Sequence, residues 1–403
     1  MARAKKSQAE KMKAVKGLIA NINKKAGENI INFASDEEMA EQLRIEFIPT
    51  VSFALNSAFG GFPKGKFSLV TGDPDAGKTS LILETIGHNM QLDQDFTVCW
   101  IESENSLSDD LIEMFHIDPS RFIVHEVDPE NGSAESSMDY AIAMAQAGVD
   151  MVVINSLKAM VPQKEVKDNM EDANIAISAR LNAKFMRKVL SIISKSGTAL
   201  VCTQQKSINI GCMFGDPSQI TGGRAILYSS VLTLNVSQVS IKAGDPYYDM
   251  KEDYRRIRVK VLKNHVCGAK ANPYTTTDYT VKLGVGTDIT GEILQEAYNM
   301  DIITKQNGGY FREYTDSEPH DKKNIRILPD GTKAEWRGAP VFQAYIDEHP
   351  EYFEYIKRRV ESGVSTLVES LPQEEIDILS GAIDDIEDDI NVEELEEVIG
   401  DAE

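Results

Sequence analysis

Apolar residues gather in short runs, Phe67–Thr71, Phe96–Ile101, Phe122–Val127, Met151–Ile154, Ala199–Thr203, Val231–Val236 and Arg256–Leu262, separated by stretches of helical periodicity. Buried runs alternating with helices of this length predict a parallel α/β sheet covered on both faces, over about 47–285. Before it, Met12, Val15, Ile19 and Ile22 recur at spacings of three and four. That spacing predicts an amphipathic helix, which buries its stripe either on its own core or on a neighbouring subunit. Asp36–Glu46 is a charged connector, so residues 1–46 form an N-terminal segment. After the sheet, Glu292–Asn299 and Val341–Val360 read as helices around the polar segment Thr304–Arg337, a smaller α+β unit over 286–370. No internal repeat of solenoid period is present.

With 403 residues, 42% of them hydrophobic and 26% charged, the chain fits two or three globular domains. It has no run of ~18 apolar residues and no secretory leader, which predicts a cytoplasmic protein with no membrane partner. Cys99, Cys202, Cys212 and Cys267 lie far apart and suit reduced thiols better than a disulfide or zinc framework. The six histidines form no metal-ligand pair. A net charge of −22 argues at first against nucleic acid, because phosphate binding is driven by Lys and Arg. Its distribution reverses that: 14 acidic residues and no basic ones lie between Glu374 and Glu403, leaving −8 for the rest. The acidity belongs to a tail, 371–403, whose charge density predicts a disordered, solvated segment.

The strongest chemical signal is Gly72-Asp73-Pro74-Asp75-Ala76-Gly77-Lys78-Thr79, followed by Ser80, between an apolar strand and a helix. This fits G-x-x-x-x-G-K-[ST], a phosphate-binding loop. Its backbone N–H groups and helix N-terminus hold phosphate oxygens, Lys78 reaches the terminal phosphates, and the Thr79 hydroxyl ligates Mg²⁺. ATP and Mg²⁺ are therefore the expected ligands. The next strand ends Ile101-Glu102-Ser103-Glu104, two carboxylates at the edge where open α/β sheets bind ligands. One of them is a candidate for positioning or deprotonating a water, and strand alternation puts both on the same side, so spacing does not choose between them. Met151–Ser156 resembles the second nucleotide strand but ends in Asn155 where an Asp usually holds the Mg²⁺ shell. An amide accepts a hydrogen bond from metal-bound water without bringing negative charge.

After Ala199–Thr203 come Gln204 and Gln205, then the Gly-rich stretch Lys206–Gly222, with Ile210, Gly211 and Met213-Phe214-Gly215, closing on Thr221-Gly222-Gly223-Arg224. Loops of this length are usually functional. Backbone amides, an aromatic and flanking cations suit a single nucleic-acid strand; a lid over the nucleotide is the alternative. Arg256, Arg258 and Lys260 alternate along a strand, giving one basic face, either simply solvated or a phosphate track.

In this order, these residues resemble the RecA family of homologous-pairing recombinases, from about residue 8 to 370. The resemblance rests on Gly72–Thr79, Ile101–Glu104, Val149–Ser156, Ala179-Arg180 with Met186-Arg187-Lys188, Gln204, Met213–Gly215, Thr221–Gly223 and Val259–Asn264. It implies a P-loop core with a mainly parallel twisted sheet, an N-terminal oligomerisation helix and a small C-terminal α+β domain. It assigns the catalytic glutamate to Glu104, with Glu102 supporting, and the γ-phosphate-sensing glutamine to Gln204. A first DNA loop falls on Pro162–Ile175, followed by a helix with Arg180 and Arg187, and Ile175 and Ile210 take the places of residues that wedge between base triplets. ATP then lies between subunits of a helical filament, approached by the neighbour's Lys263. His265 stands at the second such lysine, and Tyr228 at a subunit contact.

The chain departs from the family pattern at Leu111, where an aromatic stacks on adenine, at Ser108, at Asn155 and at His265. The basic pair expected near Asn235–Gln238 is absent, leaving Arg256, Arg258 and Lys260 to serve a second DNA site. These departures suit a divergent, phage-type member. The expected function is an ATP-dependent recombinase that forms filaments on single-stranded DNA and exchanges strands with homologous double-stranded DNA. The rival is a DNA-coating filament protein that hydrolyses ATP negligibly; a hexameric motor fits the C-terminal unit less well.

Overall fold

The computed structural model describes residues 8–27, 31–35, 44–127, 133–167, 177–208, 218–220, 223–243, 251–266, 275–306, 310–314, 325–329 and 331–365. Ile175, Ile210, Gly211, Met213, Phe214, Gly222, Cys212, Cys267 and the acidic tail lie outside the described residues. Internal contacts divide the chain into two units, residues 1–292 and 293–403.

The first unit is organised by a ten-stranded sheet. Two short strands, β1 (Phe47–Ile48) and β2 (Phe62–Pro63), pair apart from it. Its own strands are β3 (Phe67–Gly72), β4 (Val98–Glu102), β5 (Phe122–Glu126), β6 (Met151–Asn155), β7 (Ala199–Ile208), β8 (Ser218–Ile220), β9 (Leu232–Val239), β10 (Tyr254–Asn264), β11 (Thr276–Lys282) and β12 (Gly286–Thr287). They lie in the order β12-β11-β10-β9-β3-β7-β6-β4-β5, with β8 paired to β7. From β9 to β5 all neighbours are parallel.

β3, β4 and β6 are buried along their whole length because helices cover both faces, whereas the edge strand β5 is largely exposed. Val70, Trp100 and Val153 pack with Leu81, Ile82 and Ile86 of helix Lys78–Leu92. Leu69, Ile101 and Val152, one residue out of phase, pack with Met138 of helix Ala134–Ala147 and with Phe185 and Val189 of helix Ile177–Ser196. Each such side chain, fully buried, contributes about 1.5–3 kcal/mol.

The sheet is not parallel throughout. β10 runs antiparallel to β9 and to β11, and β12 antiparallel to β11. The sequence carried the distinction: β10 alternates Arg256, Arg258 and Lys260 with buried Ile257, Val259 and Val261. Alternation of this kind marks a strand with one solvated face, the habit of antiparallel sheets. β7 also runs past the expected end at Thr203, so Lys206–Ile208 pair with Ser218–Ile220 and the Gly-rich stretch leaves and returns through a ladder.

The N-terminal helix spans Gln8–Ala26. Met12 and Val15 are exposed, at 45% and 43%, and Ile19 and Ile22 are half-buried. Its stripe is thus only partly covered within the chain.

In the second unit, the segment read as polar holds an antiparallel sheet of β13 (Ile303–Gln306), β14 (Tyr310–Glu313) and β15 (Glu335–Arg337). The helical stretch divides into Ala339–Glu348 and Pro350–Ser365, since Pro350 has no N–H to continue the first helix and suits the start of the second. Phe311 stacks on Phe342 at 5.4 Å, and Trp336 packs on Phe342 at 4.7 Å. Fully buried Glu313 accepts hydrogen bonds from Tyr352, Tyr355 and Arg359 at 2.7–2.8 Å, which satisfies a carboxylate that would be costly unpaired. Among the described residues no helix is long and apolar enough to cross a membrane.

Candidate functional site

β3 delivers the phosphate loop at the C-terminal edge of the parallel strands, and two glycines are fixed there by geometry. A β-carbon on Gly72 would meet the Val236 carbonyl at 2.2 Å, and Gly77 holds φ 92°, the left-handed region costly to other residues. Gly77 caps helix Lys78–Leu92 with no side-chain hydrogen bond, so the first amides of that helix keep their donors open. Ala76 is buried; Asp73, Pro74 and Asp75 are exposed, and Thr79 and Ser80 partly so.

Lys78 is only 8% exposed, and its Nζ donates to the Asp73 carbonyl at 2.6 Å. Burial pushes its ammonium below the usual lysine range, while Glu104, Asp73 and Asp75 pull the other way. A desolvated cation beside open amides matches the charge and donors of a polyphosphate. The Thr79 hydroxyl has no partner among the described residues, which leaves it open to a metal ion.

The two strand-end carboxylates, indistinguishable by spacing, separate here. β4 stops at Glu102, and the chain folds back so that the Glu104 amide donates to Glu102 Oε1 at 2.7 Å. Glu102 is 2% exposed; its Oε2 also accepts from Trp100 Nε1 at 2.9 Å and from Asn155 Nδ2 at 3.2 Å. It is a buried hub. Glu104 is half-buried instead, and its Oε1 accepts from Ser156 Oγ at 2.5 Å and from Gln205 Nε2 at 3.1 Å.

Asn155 is 1% exposed, with Nδ2 shared between Glu102 and Ser106 and Oδ1 accepting from Thr203 Oγ1 at 2.7 Å. As a metal-shell group it is already engaged in the protein. Among the described residues no cluster of three or more His, Cys, Asp or Glu could hold a metal. A Mg²⁺ ion here would rest on Thr79 and on the phosphates, a common arrangement for this ion.

The resemblance assigns the sensing role to Gln204, whereas the glutamine that donates to Glu104 is Gln205; Gln204 is fully buried in β7. Neighbours on a strand point to opposite faces, so the choice turns on how far β7 extends. Ser106, Ser156 and Thr203 were also missed, because serine and threonine carry no motif of their own.

The nucleic-acid candidates are spread over several elements. Arg180 and Arg187 are exposed on helix Ile177–Ser196. Gly223 caps helix Arg224–Ser229 and abuts Ala179; Arg224 is exposed and Lys206 half-buried. On β10, Lys260 is exposed, while Arg258 is held by Asp278 in a bidentate pair at 2.7 Å through its Nε and one Nη. Lys263 Nζ donates to the Leu227 and Tyr228 carbonyls at 3.0 and 3.1 Å, and partial burial lowers its pKa. His265 and Tyr228 are exposed, Tyr228 at 75%. Leu111 is half-buried against the core, and Ser108 caps the short helix Asp109–Met114.

Residues 13–288 match the family model described as the RecA N-terminal domain. "Protein RecA" of Aquifex pyrophilus is 30% identical over 372 residues, covering 91% of this chain and 96% of the relative. The protein of the same name from Nautilia profundicola is 30% identical over 379 residues, covering 91% and 97%. That of Methylococcus capsulatus is 30% identical, covering 85% and 89%.

Proposed function

The chain belongs to the RecA family of recombinases, and from that premise we propose that it binds ATP with Mg²⁺, polymerises on single-stranded DNA in the cytoplasm, and exchanges strands with a homologous duplex. The observation that carries the reading is the position of Glu104. It sits within electrostatic reach of Lys78 and accepts a hydrogen bond from Gln205, on the strand that leads into Lys206–Gly222. One carboxylate is thereby linked to the nucleotide loop and to the candidate DNA loop.

In this reading Glu104 orients a water in line with the terminal phosphate and takes its proton, while Lys78 offsets charge on the phosphate oxygens. Thr79 would hold Mg²⁺, which when bound would supply further charge neutralisation. Gln205 rather than Gln204 couples nucleotide state to the loop, because its amide contacts Glu104. Ser156 fixes the carboxylate's other approach. Arg180, Arg187, Lys206 and Arg224 contact the single strand; Lys260, with Arg256, serves the second DNA site. Lys263 and His265 act across a subunit boundary.

The engaged amide of Asn155 favours a second reading, a filament protein that coats DNA and hydrolyses ATP negligibly. ATP hydrolysis with and without poly-dT, filament imaging by electron microscopy, and strand exchange with a labelled homologous duplex test both. DNA-stimulated turnover with filaments and exchanged product is expected. Filaments with no turnover select the coating protein; no filaments and no nucleotide binding overturn both.

A further inference from the structure

Lys158, in the turn after β6, belongs to none of the motifs above. It is exposed, and with Glu104, Ser106, Ala159 and Gln205 it lines an open cleft of about 720 Å³. Two links place that cleft beside the phosphate loop. Gln205 stands opposite Gly72 in the β3–β7 register, and Glu104 is near enough to Lys78 to pull on its proton affinity. Among the described residues Lys158 has no ion-pair or hydrogen-bond partner.

The cleft is short of fixed charge opposite a triphosphate. Lys78 is committed at the loop, and the residue that ends β6 is an amide whose oxygen already accepts from Thr203. Among the described residues no cluster of three or more carboxylate, His or Cys groups would hold a metal ion there, so it would lean on the Thr79 hydroxyl. A lysine is a point charge on a flexible four-carbon stem, suited to close on an anion that arrives from solvent.

We propose that Lys158 is a nucleotide-binding residue whose ammonium engages the terminal phosphate of a bound nucleoside triphosphate, supplying in cis part of the charge that a firmly held Mg²⁺ would supply. The inference rests on the reading of Gly72–Thr79 as a triphosphate site. Lys158 then also discriminates: a diphosphate ends one phosphate short of it.

The test is fluorescence titration of the full chain with labelled, non-hydrolysable triphosphate and with labelled diphosphate, each in saturating Mg²⁺ and in EDTA. In EDTA, Lys158→Ala should weaken the triphosphate about tenfold and leave the diphosphate within about twofold, with Lys158→Arg recovering most of the loss. Saturating Mg²⁺ should shrink the defect to about two- to threefold. Equal loss for both nucleotides, or none, overturns the inference while the phosphate-loop reading stands. So does a defect confined to poly-dT affinity without nucleotide, which would make Lys158 a DNA contact. Failure of the native chain to bind either nucleotide would remove the phosphate-loop reading itself. Because Lys158 is exposed and unpaired, melting curves of the variants should overlay the native one, so a binding loss is not a folding loss.

Discussion

The phosphate loop and the strand ends beside it treat their polar groups in opposite ways. In the loop, the helix amides after Gly77 and the Thr79 hydroxyl are left open, and buried Lys78 is held only by a backbone carbonyl. At the ends of β4 and β6, Glu102 and Asn155 are nearly inaccessible and spend their hydrogen bonds on Trp100, Ser106, Thr203 and each other. The first region is prepared for a ligand, and the second is a structural joint with one carboxylate, Glu104, left at its margin. In the proposed reading, binding of a nucleotide and its turnover would therefore be separable.

The sharpest way to break that separation is a pair of variants with large effects. Lys78→Ala should weaken nucleotide binding at least about a hundredfold, since it removes the cation from the loop. Glu104→Gln should leave binding within about threefold while lowering DNA-stimulated hydrolysis by about 10²–10³, the range for a positioned acid–base group. Titration with a fluorescent nucleotide and steady-state hydrolysis read the two separately. If Glu104→Gln weakens binding as much as Lys78→Ala does, the two regions act as one.

A smaller effect tests whether the joint is structural. In Asn155→Asp a carboxylate replaces the amide that donates to Glu102 at 3.2 Å, placing two acids together in a dry site and losing a donor. Destabilisation of about 1–3 kcal/mol follows from the broken buried hydrogen bond alone. Thermal melting should show a lower midpoint than the native chain's. A gain in turnover with an unchanged midpoint would show that the joint tolerates the charge and that Asn155 had been limiting the metal.

The contrast also marks how far the sequence could be read. The loop was legible because its chemistry needs residues in a fixed linear order, with Gly72 where Val236 crowds the backbone and Gly77 at a left-handed turn. The parallel strands were legible because burial on both faces leaves runs such as Met151–Ile154. The joint was not, because Trp100, Ser106, Asn155 and Thr203 come from separate elements and meet only through the β4–β6 pairing and its surroundings. The antiparallel wing was written in the alternation of β10, which the sequence shows as a basic face without fixing the direction of the strand beside it. Glu102 and Glu104 separated only when β4 ended two residues before the second acid.

The smallest effect lies at Glu292, beside Glu84 of the phosphate-loop helix and outside the loop motif. Glu84 of that helix accepts from the Thr287 amide and hydroxyl at 2.5 and 2.6 Å. Glu292 nearby accepts from Ser52 Oγ at 2.8 and 2.9 Å and from the Ala54 amide at 3.4 Å. Burial pushes the Glu292 carboxyl up to about 7, against the donors from Ser52, Ala54 and Phe53, and Glu84 adds to the rise. Burial likewise raises Glu84, and Tyr279, the other titratable group facing the pair, is held neutral. A carboxyl whose folded pKa lies above its unfolded one binds its proton more tightly when folded, so its contribution is complete below about pH 4.5 and lost as pH rises through 7. Between pH 5.5 and 7.5 the loss is about 2 kcal/mol at most. Glu292→Gln keeps an acceptor for Ser52 and cannot titrate, so its melting temperature should change less across that interval than the native chain's, by a few degrees. Parallel profiles for the two proteins would mean that Glu292 stays ionised throughout this interval.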